Sequence, residues 1–480
     1  MSSAAKKTWV VPGAPLEGGR GWRIWYSHAG IDDFVPASVR ILRGGAHEQS
    51  SQQWRLLNAL PGLDRRVGIL TVELANPVPG AEYHVAIPEL AGGAPLLWRS
   101  LHDSVDSGVT FLFASCFWRD NDKEGAYSAA IRQLQKLWSP AFKMLIGDQV
   151  YQDWPPEPIG SKTSLELYAA RYTKYWGDPA YQEVLRSSPN FFLCDDHEFW
   201  NDYPEKQVHL ARTWAACRQE HARAATELYN LFQVAANPQP GLWYRFQIGP
   251  VSFFIADTRS QRDRWEQRPH HFFQEPQWAD LERWVRELRG PGVLVLGQPL
   301  FQRDGDWKDH SLSNFEEDYG RLCALIERSL QGDNHHGQPH DILMLSGDIH
   351  VGRYCVGTIA GVDGSQVHEF VVSPASRVGP YICEPSPDSP PTKFVAKNVQ
   401  GQHPGTTRVW HVERAEFAPT IHNNVGMVRM TAGTNGRVRF ELMIWRVRPH
   451  DSRSFWERTL RQRQPDGPVV PLFRKEIQLR

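Results

Sequence analysis

The most constraining feature of this 480-residue chain is a series of short apolar runs, each closed at once by a polar turn. Residues 109–114, 143–146, 190–194, 251–256, 292–296 and 342–345 are short and almost unbroken in their apolar character. Runs of this kind suit strands buried on both faces. They alternate with stretches of helical period at 126–137, 165–172, 210–231, 277–288 and 315–330. Strand then helix, repeated, predicts an α/β core.

The first hundred residues read differently. Segments 22–26, 38–42, 66–72 and 82–87 alternate as strands between Gly, Pro, Asn and Asp turns, and 76–83 forms an extended, turn-rich corner. This predicts a β-sandwich of immunoglobulin or fibronectin type over residues 1–106, ahead of an α/β domain over 107–445. Segments 424–431 and 437–445 flank Asn435-Gly436, which predicts a hairpin. Residues 446–480 hold nine Lys/Arg against four Asp/Glu and are expected as a basic tail packed on or near the α/β domain.

Charge excludes some functions. Lys+Arg 53 against Asp+Glu 54 leaves a net charge of -1, so no bulk field draws nucleic acid or an anionic membrane to the chain. No apolar run approaches the ~18 residues of a membrane span, and the first residues lack an apolar segment long enough for a secretory signal, so the expected location is cytoplasmic. The six cysteines include no C-x-x-C pair.

In an open α/β sheet, ligands bind beyond the carboxyl ends of the strands. The residues there are Ser115-Cys116, Gly147-Asp148-Gln149-Val150-Tyr151, Asp195-Asp196-His197-Glu198, Asp257-Thr258-Arg259, Gly297-Gln298 and Gly347-Asp348-Ile349-His350. Asp148, Asp196 and Asp348 brought together in a low-dielectric rim repel one another unless cations are present. Two metals about 3.5 to 4 Å apart meet that need and clamp both oxygens of an in-line displacement. Tyr151 as a phenolate calls for a strong Lewis acid such as trivalent iron, and the Cys116 thiolate and His350 imidazole suit a transition metal. Asp196, Asp348 and the Gln298 amide are oxygen donors suited to Ca²⁺, Mg²⁺ or Mn²⁺.

In their order, these segments resemble the PhoD-type alkaline phosphatases of the calcineurin-like metallophosphoesterase superfamily, over roughly residues 109–445. The resemblance implies a four-layered α/β/β/α core with an N-terminal β-sandwich, and an iron-calcium centre that hydrolyses phosphomonoesters and phosphodiesters. It implies that Cys116, Asp148, Tyr151 and His350 hold Fe³⁺, with Asp148 bridging. Asp196 and Asp348 would then hold the second metal. The wider superfamily has Asn at the place of Asp196 and His at that of Asp348; the added negative charge favours Ca²⁺, with Mg²⁺, Mn²⁺ or Zn²⁺ as alternatives. The nucleophile would be a metal-activated hydroxide. His197 would protonate or stabilise the leaving oxygen. Arg259 would either bind phosphate through paired hydrogen bonds or form an internal ion pair. The expected partner is a small phosphoester, with nucleic acid only as a phosphodiester substrate. Relatives are commonly exported, a location for which no signal is visible here.

Other signals are weaker. Gly160-Ser161-Lys162-Thr163 lacks the glycines of a phosphate loop and is expected to lead into a helix, with Ser164 as a possible cap. No His-Glu-x-x-His or Gly-x-Ser-x-Gly motif occurs. His335, His336 and His340 lie in a polar loop and are expected to be solvated, while His270-His271 could shape access to the rim. Trp118, Arg119, Trp154 and Trp200 could wall a pocket or anchor loops. Two other functions fit the same residues: a metal-stabilised scaffold without catalysis, and a metallohydrolase acting on non-phosphate esters.

Overall fold

The structure, a computed structural model, describes residues 8–30, 34–57, 63–90, 95–122, 125–155, 162–208, 210–214, 216–238, 241–267, 269–301, 311–359, 366–376, 398–400, 409–412, 416–417, 423–447 and 470–480. All six apolar runs are strands in it, distributed over two sheets. The first sheet runs Asn190–Leu193, Phe142–Ile146, Val109–Ala114, Asn424–Ala432, Val438–Arg446, Phe473–Leu479, with its first three strands parallel and the rest antiparallel. In the second, Val251–Ile255, Gly292–Val295, Ile342–Ser346 and Gln366–Val371 are parallel neighbours. Tyr244–Ile248 and Arg353–Ile359 pair antiparallel at either side of them.

Side chains alternate across each strand, so every run supplies two cores. Phe111, Phe113, Met144, Ile146, Phe191 and Leu193 share one buried cluster with Phe253, Ile255, Val293, Val295, Leu343 and Leu345 of the other sheet. The alternate residues Leu112, Ala114, Leu145 and Phe192 instead meet four helices: α1 (Ala126–Trp138), α2 (Ser164–Trp176), α3 (Pro179–Arg186) and α4 (Arg218–Phe232). On the second sheet Phe254, Leu294, Leu296 and Met344 meet α5 (Glu275–Glu287) and α6 (Glu316–Gln331). Each large side chain so buried contributes roughly 1.5 to 3 kcal/mol. Both faces of each sheet are therefore occupied, and the strand ends are what remains for chemistry.

Local signals set the helix ends. Thr163, rather than Ser164, caps α2, with Glu166 closing the capping box, because Ser164 already lies inside the first turn. Asp178 caps α3 ahead of Pro179. Asn435 and Gly436 both take positive φ, at 55° and 71°, as the hairpin requires.

Residues 8–99 form two four-stranded antiparallel sheets, in which Trp22, Ile24, Leu70 and Val72 of one share a buried cluster with Ile41, Tyr83, Val85 and Trp98 of the other. The opposite face of the first sheet abuts the α/β part: Trp25 donates its indole N–H to the Leu231 carbonyl at 2.7 Å. At the other terminus the α/β sheet continues past residue 445, since Val438–Arg446 pairs with Phe473–Leu479. The end of the basic tail is thus an edge strand, and residues 448–469 of it lie outside the described residues. Among the described residues no helix is long and apolar enough to cross a membrane.

Candidate metal centre

The turns after the strands carry the site, and they are unusual in backbone. Cys116, Asp148, Asp348 and His350 have φ of 57°, 56°, 67° and 55°. Left-handed backbone at non-glycine residues costs about 1 to 3 kcal/mol each and persists where surrounding structure imposes it. The glycines preceding Asp148 and Asp348 are required by close approach. A Cβ at Gly147 would lie 2.6 Å from the Asp195 Cβ, and one at Gly347 would lie 2.3 Å from the Ser115 Oγ.

These turns bring the six proposed ligands to one place. The Cys116 Sγ and the Tyr151 hydroxyl each lie 3.4 Å from Asp148 Oδ2. The Tyr151 hydroxyl is also 3.5 Å from His350 Nε2. Ser373 links the group from behind, its hydroxyl 3.1 Å from the Cys116 Sγ and accepting the His350 backbone N–H at 3.2 Å. On the other side of Asp148, Oδ1 accepts the His197 backbone N–H at 3.2 Å. Ligand atoms of Asp148, Asp196 and His197 lie within 4.8 Å of one another, as do those of Asp195, Asp196 and Asp348. Asp148 therefore stands between a sulfur, phenol and imidazole set and a carboxylate set.

The electrostatics of this arrangement ask for a cation. Burial pushes the Cys116 thiol, the Asp148 carboxyl and the Tyr151 phenol well above their ordinary values, and neighbouring acids push each further. Asp196 Oδ2 accepts the Asp202 backbone N–H at 2.6 Å, but its Oδ1 is buried with no hydrogen-bond partner. A bound cation would relieve both conditions, so these residues fit a metal centre.

Two carboxylates with no role assigned from the sequence, Asp153 and Glu198, shape the site. Asp153 Oδ1 lies 2.7 Å from His197 Nδ1, and its Oδ2 accepts the Asn201 backbone N–H at 3.0 Å. Burial alone would lower the His197 pKa, but Asp153, Asp196 and Asp148 push it well above its ordinary value. The His197 ring also leans over Tyr151, with centroids 4.1 Å apart. Glu198, fully buried, accepts the backbone N–H groups of Asp148 at 2.8 Å, Gln149 at 2.6 Å and Asp195 at 2.9 Å. It fixes the turn that presents Asp148. The Asp153 signal was available as a carboxylate two residues beyond Tyr151 in the same loop.

Several other expectations resolve as supports. Arg259 is fully buried, with Nε 2.6 Å from Asp195 and an N–H donated to the Tyr203 carbonyl at 3.1 Å. That is the internal ion pair, and a guanidinium so enclosed does not present a fork to a phosphate. Gln298 directs Oε1 to Arg262 at 2.6 Å and its amide nitrogen to Asp348 at 3.2 Å, so its oxygen is not offered as a ligand. Trp200 is a loop anchor, buried and bonded to the Glu205 carbonyl at 2.7 Å. Arg119 pairs with Asp178 at 2.9 Å. His271 pairs with Asp318 at 2.9 Å, and His270 stands 3.1 Å from the Asn314 carbonyl. His335 and His336 are exposed, whereas His340 is buried at the start of the strand it precedes, contrary to a solvated loop. Cys383 lies outside the described residues.

Comparison with known proteins bears on the fold and the family. The solved structure of PhoD shares the fold, with a TM-score of 0.58 over 92% of this chain and 87% of that one, at 14% identity. GAP50, the anchor in the inner membrane complex of Plasmodium, aligns over 72% of this chain and 86% of its own at 10% identity, with a TM-score of only 0.35. No curated protein matches the chain. The family model of the PhoD-like phosphatases matches residues 111–409, the span that contains every strand-end residue described above, and the chain belongs to that family.

Proposed function

We propose that this phosphatase hydrolyses phosphomonoesters, phosphodiesters or both at a two-metal centre. In this reading Cys116, Asp148, Tyr151 and His350 hold Fe³⁺, and Asp148, Asp196 and Asp348 hold the second cation, with Ca²⁺ favoured over Mg²⁺, Mn²⁺ or Zn²⁺ by the all-carboxylate set. The observation that carries it is the position of Asp148, whose Oδ2 faces Cys116 and Tyr151 while its Oδ1 faces the segment bearing Asp196 and His197. Bound cations would supply Lewis acidity toward the phosphoryl oxygens and the attacking water.

The chain's own residues do the rest. Asp153 fixes the His197 tautomer, holding Nδ1 and leaving Nε2 for the substrate. Asp153, which is not one of the proposed ligands, raises the His197 pKa through its charge and hydrogen bond and so favours the protonated ring that would donate to the leaving oxygen. Glu198 and the Arg259–Asp195 pair hold the two turns in register.

The test is turnover of p-nitrophenyl phosphate and bis-p-nitrophenyl phosphate by protein reconstituted with iron and calcium, beside Asp148→Asn. The proposal expects hydrolysis of at least one ester, inhibition by inorganic phosphate, and loss of activity in the variant. Substantial turnover by Asp148→Asn overturns it. Indifference to phosphate, with activity on carboxylic esters, points to the non-phosphate hydrolase, and a metal-loaded protein inert on all esters points to the scaffold.

A further inference from the structure

Away from the metal centre, α1, α3 and the strand Leu96–Arg99 border a groove of about 1170 Å³. It lies between the N-terminal sheets and the α/β part, a common place for small-molecule sites, and is somewhat larger than their usual range of about 300 to 1,000 Å³. Helix α3 separates it from the catalytic turns: Tyr181, on that helix, stacks on Phe117 at 4.3 Å, next in sequence to Cys116.

The floor is apolar. Trp9, Leu96, Leu97, Ile131 and Ala180 line it, and Leu97 remains 39% exposed on an otherwise ordinary surface. Covering such a surface with an apolar chain is favourable because it removes both from water. The walls are cationic. Arg132 and Lys136 stand one turn apart on α1, and Arg186 faces them from α3. Glu183, the carboxylate among the lining residues, is already engaged by the Ser128 hydroxyl and by Arg132 at 3.5 Å. Among the described residues Lys136 has no ion pair, and Arg186 donates to the Gln182 carbonyl at 3.1 Å rather than to an acid. Arg186 is partly buried, so its charge has lost water without gaining a carboxylate, and its pKa falls through burial with Glu183 opposing. Gln135, also on the lining, has a buried side-chain oxygen with no hydrogen-bond partner, which asks for a donor.

We propose that this groove binds a single-chain anionic amphiphile: an acyl chain on the apolar floor, an acidic head between Lys136 and Arg186, and a neighbouring N–H or O–H on Gln135. A peptide fits less well. It would bring a backbone donor and acceptor with every residue, and the apolar floor would leave most of them unpaired.

N-dodecanoylglycine has the required chain, amide N–H and carboxylate, and its primary amide is the uncharged control. Calorimetric titration of the full chain with both should show saturable binding of the acid at one site per chain, with the amide weaker by about tenfold or more. Lys136→Glu and Leu97→Glu should each weaken the acid by about tenfold or more without moving the unfolding midpoint. If Leu97→Glu lowers the midpoint, Lys136→Glu decides alone, since Lys136 is exposed. The proposal is overturned by absence of saturable binding, by equal affinity for acid and amide, by unchanged affinity in Lys136→Glu, or by preference for an acidic apolar peptide over the acylglycine.

Discussion

His197 and Asp153 stand as a hydrogen-bonded pair, Nδ1 to Oδ1 at 2.7 Å, with the carboxylate buried and the imidazole partly open. Burial would raise the Asp153 pKa, but the neighbouring His197 charge and hydrogen bond hold it below its ordinary value, while the same carboxylate raises His197. Each partner therefore favours the charged form of the other, which disposes the imidazole to hold a proton at the edge of the site.

Replacing Asp153 by Asn should release that proton. The His197 pKa falls, so the fraction of protonated imidazole at a given alkaline pH falls with it, and the descending limb of the kcat profile moves to lower pH. A loss of about 10²-fold in kcat is expected, the lower end of what a positioned acid contributes. KM should change little. A variant with wild-type kcat and an unmoved alkaline limb would show that the pair is structural only.

Removal of the cations should destabilise the protein, and more so at higher pH. In the stripped protein burial raises the Asp148 pKa, with Asp196, Asp195 and Glu198 adding and His197 opposing. A folded-state carboxyl pKa above the unfolded value means the folded state holds its proton longer. Stability is then lost as pH rises from about 4 towards that raised value. Cys116 and Tyr151 are shifted in the same direction, with corresponding losses at higher pH. Cation binding needs the deprotonated ligands and reverses these losses. Chelated protein should melt at least about 4 °C lower than loaded protein at pH 8, with a smaller gap at pH 5.5. A gap independent of pH would count against ionised ligands.

Glu198→Gln tests the support beneath Asp148. Glu198 accepts three backbone N–H groups as well as the Gln233 amide at 3.2 Å, and burial raises its pKa to about 7. An amide keeps one oxygen and turns the other position into a donor, leaving a buried N–H facing another N–H. The expected cost is about 1 to 3 kcal/mol, read from denaturant unfolding, together with weaker metal retention on dialysis. Unchanged stability would mean that the turn is held by its backbone alone.

The candidate site was legible because its residues lie in the turns that follow buried strands, where an open α/β sheet leaves room for a ligand. Cys116, Asp148, Tyr151, Asp196, Asp348 and His350 follow from that rule and converge as expected. Asp153 and Glu198 had no role assigned from sequence, because carboxylates two residues past a ligand read equally well as solvated turn residues. Only the folded loop, which turns Asp153 back onto His197, separates the cases. The last strand was hidden for a different reason. Phe473–Leu479 alternates in burial, but Arg474, Lys475 and Glu476 dominate its composition, so an edge strand read as a charged tail. The groove beside α1 combines residues from 9 to 187, and no local pattern announces it.

Arg259 offers the sharpest separation of support from substrate binding. Its side chain and that of Asp195 are 0% and 1% exposed and 2.6 Å apart. Breaking a buried pair from one side leaves an uncompensated charge and costs about 3 to 5 kcal/mol, whereas replacing both partners by neutral groups costs far less. Arg259→Met should therefore destabilise strongly, and the double variant Arg259→Met with Asp195→Asn should recover much of the loss. The kinetic expectation follows from the same geometry: in the double variant, KM for a phosphoester should stay within about threefold of wild type, less than the 1.4 kcal/mol that a tenfold change represents. A phosphate-binding arginine gives the opposite pattern, a large rise in KM that removing Asp195 cannot repair.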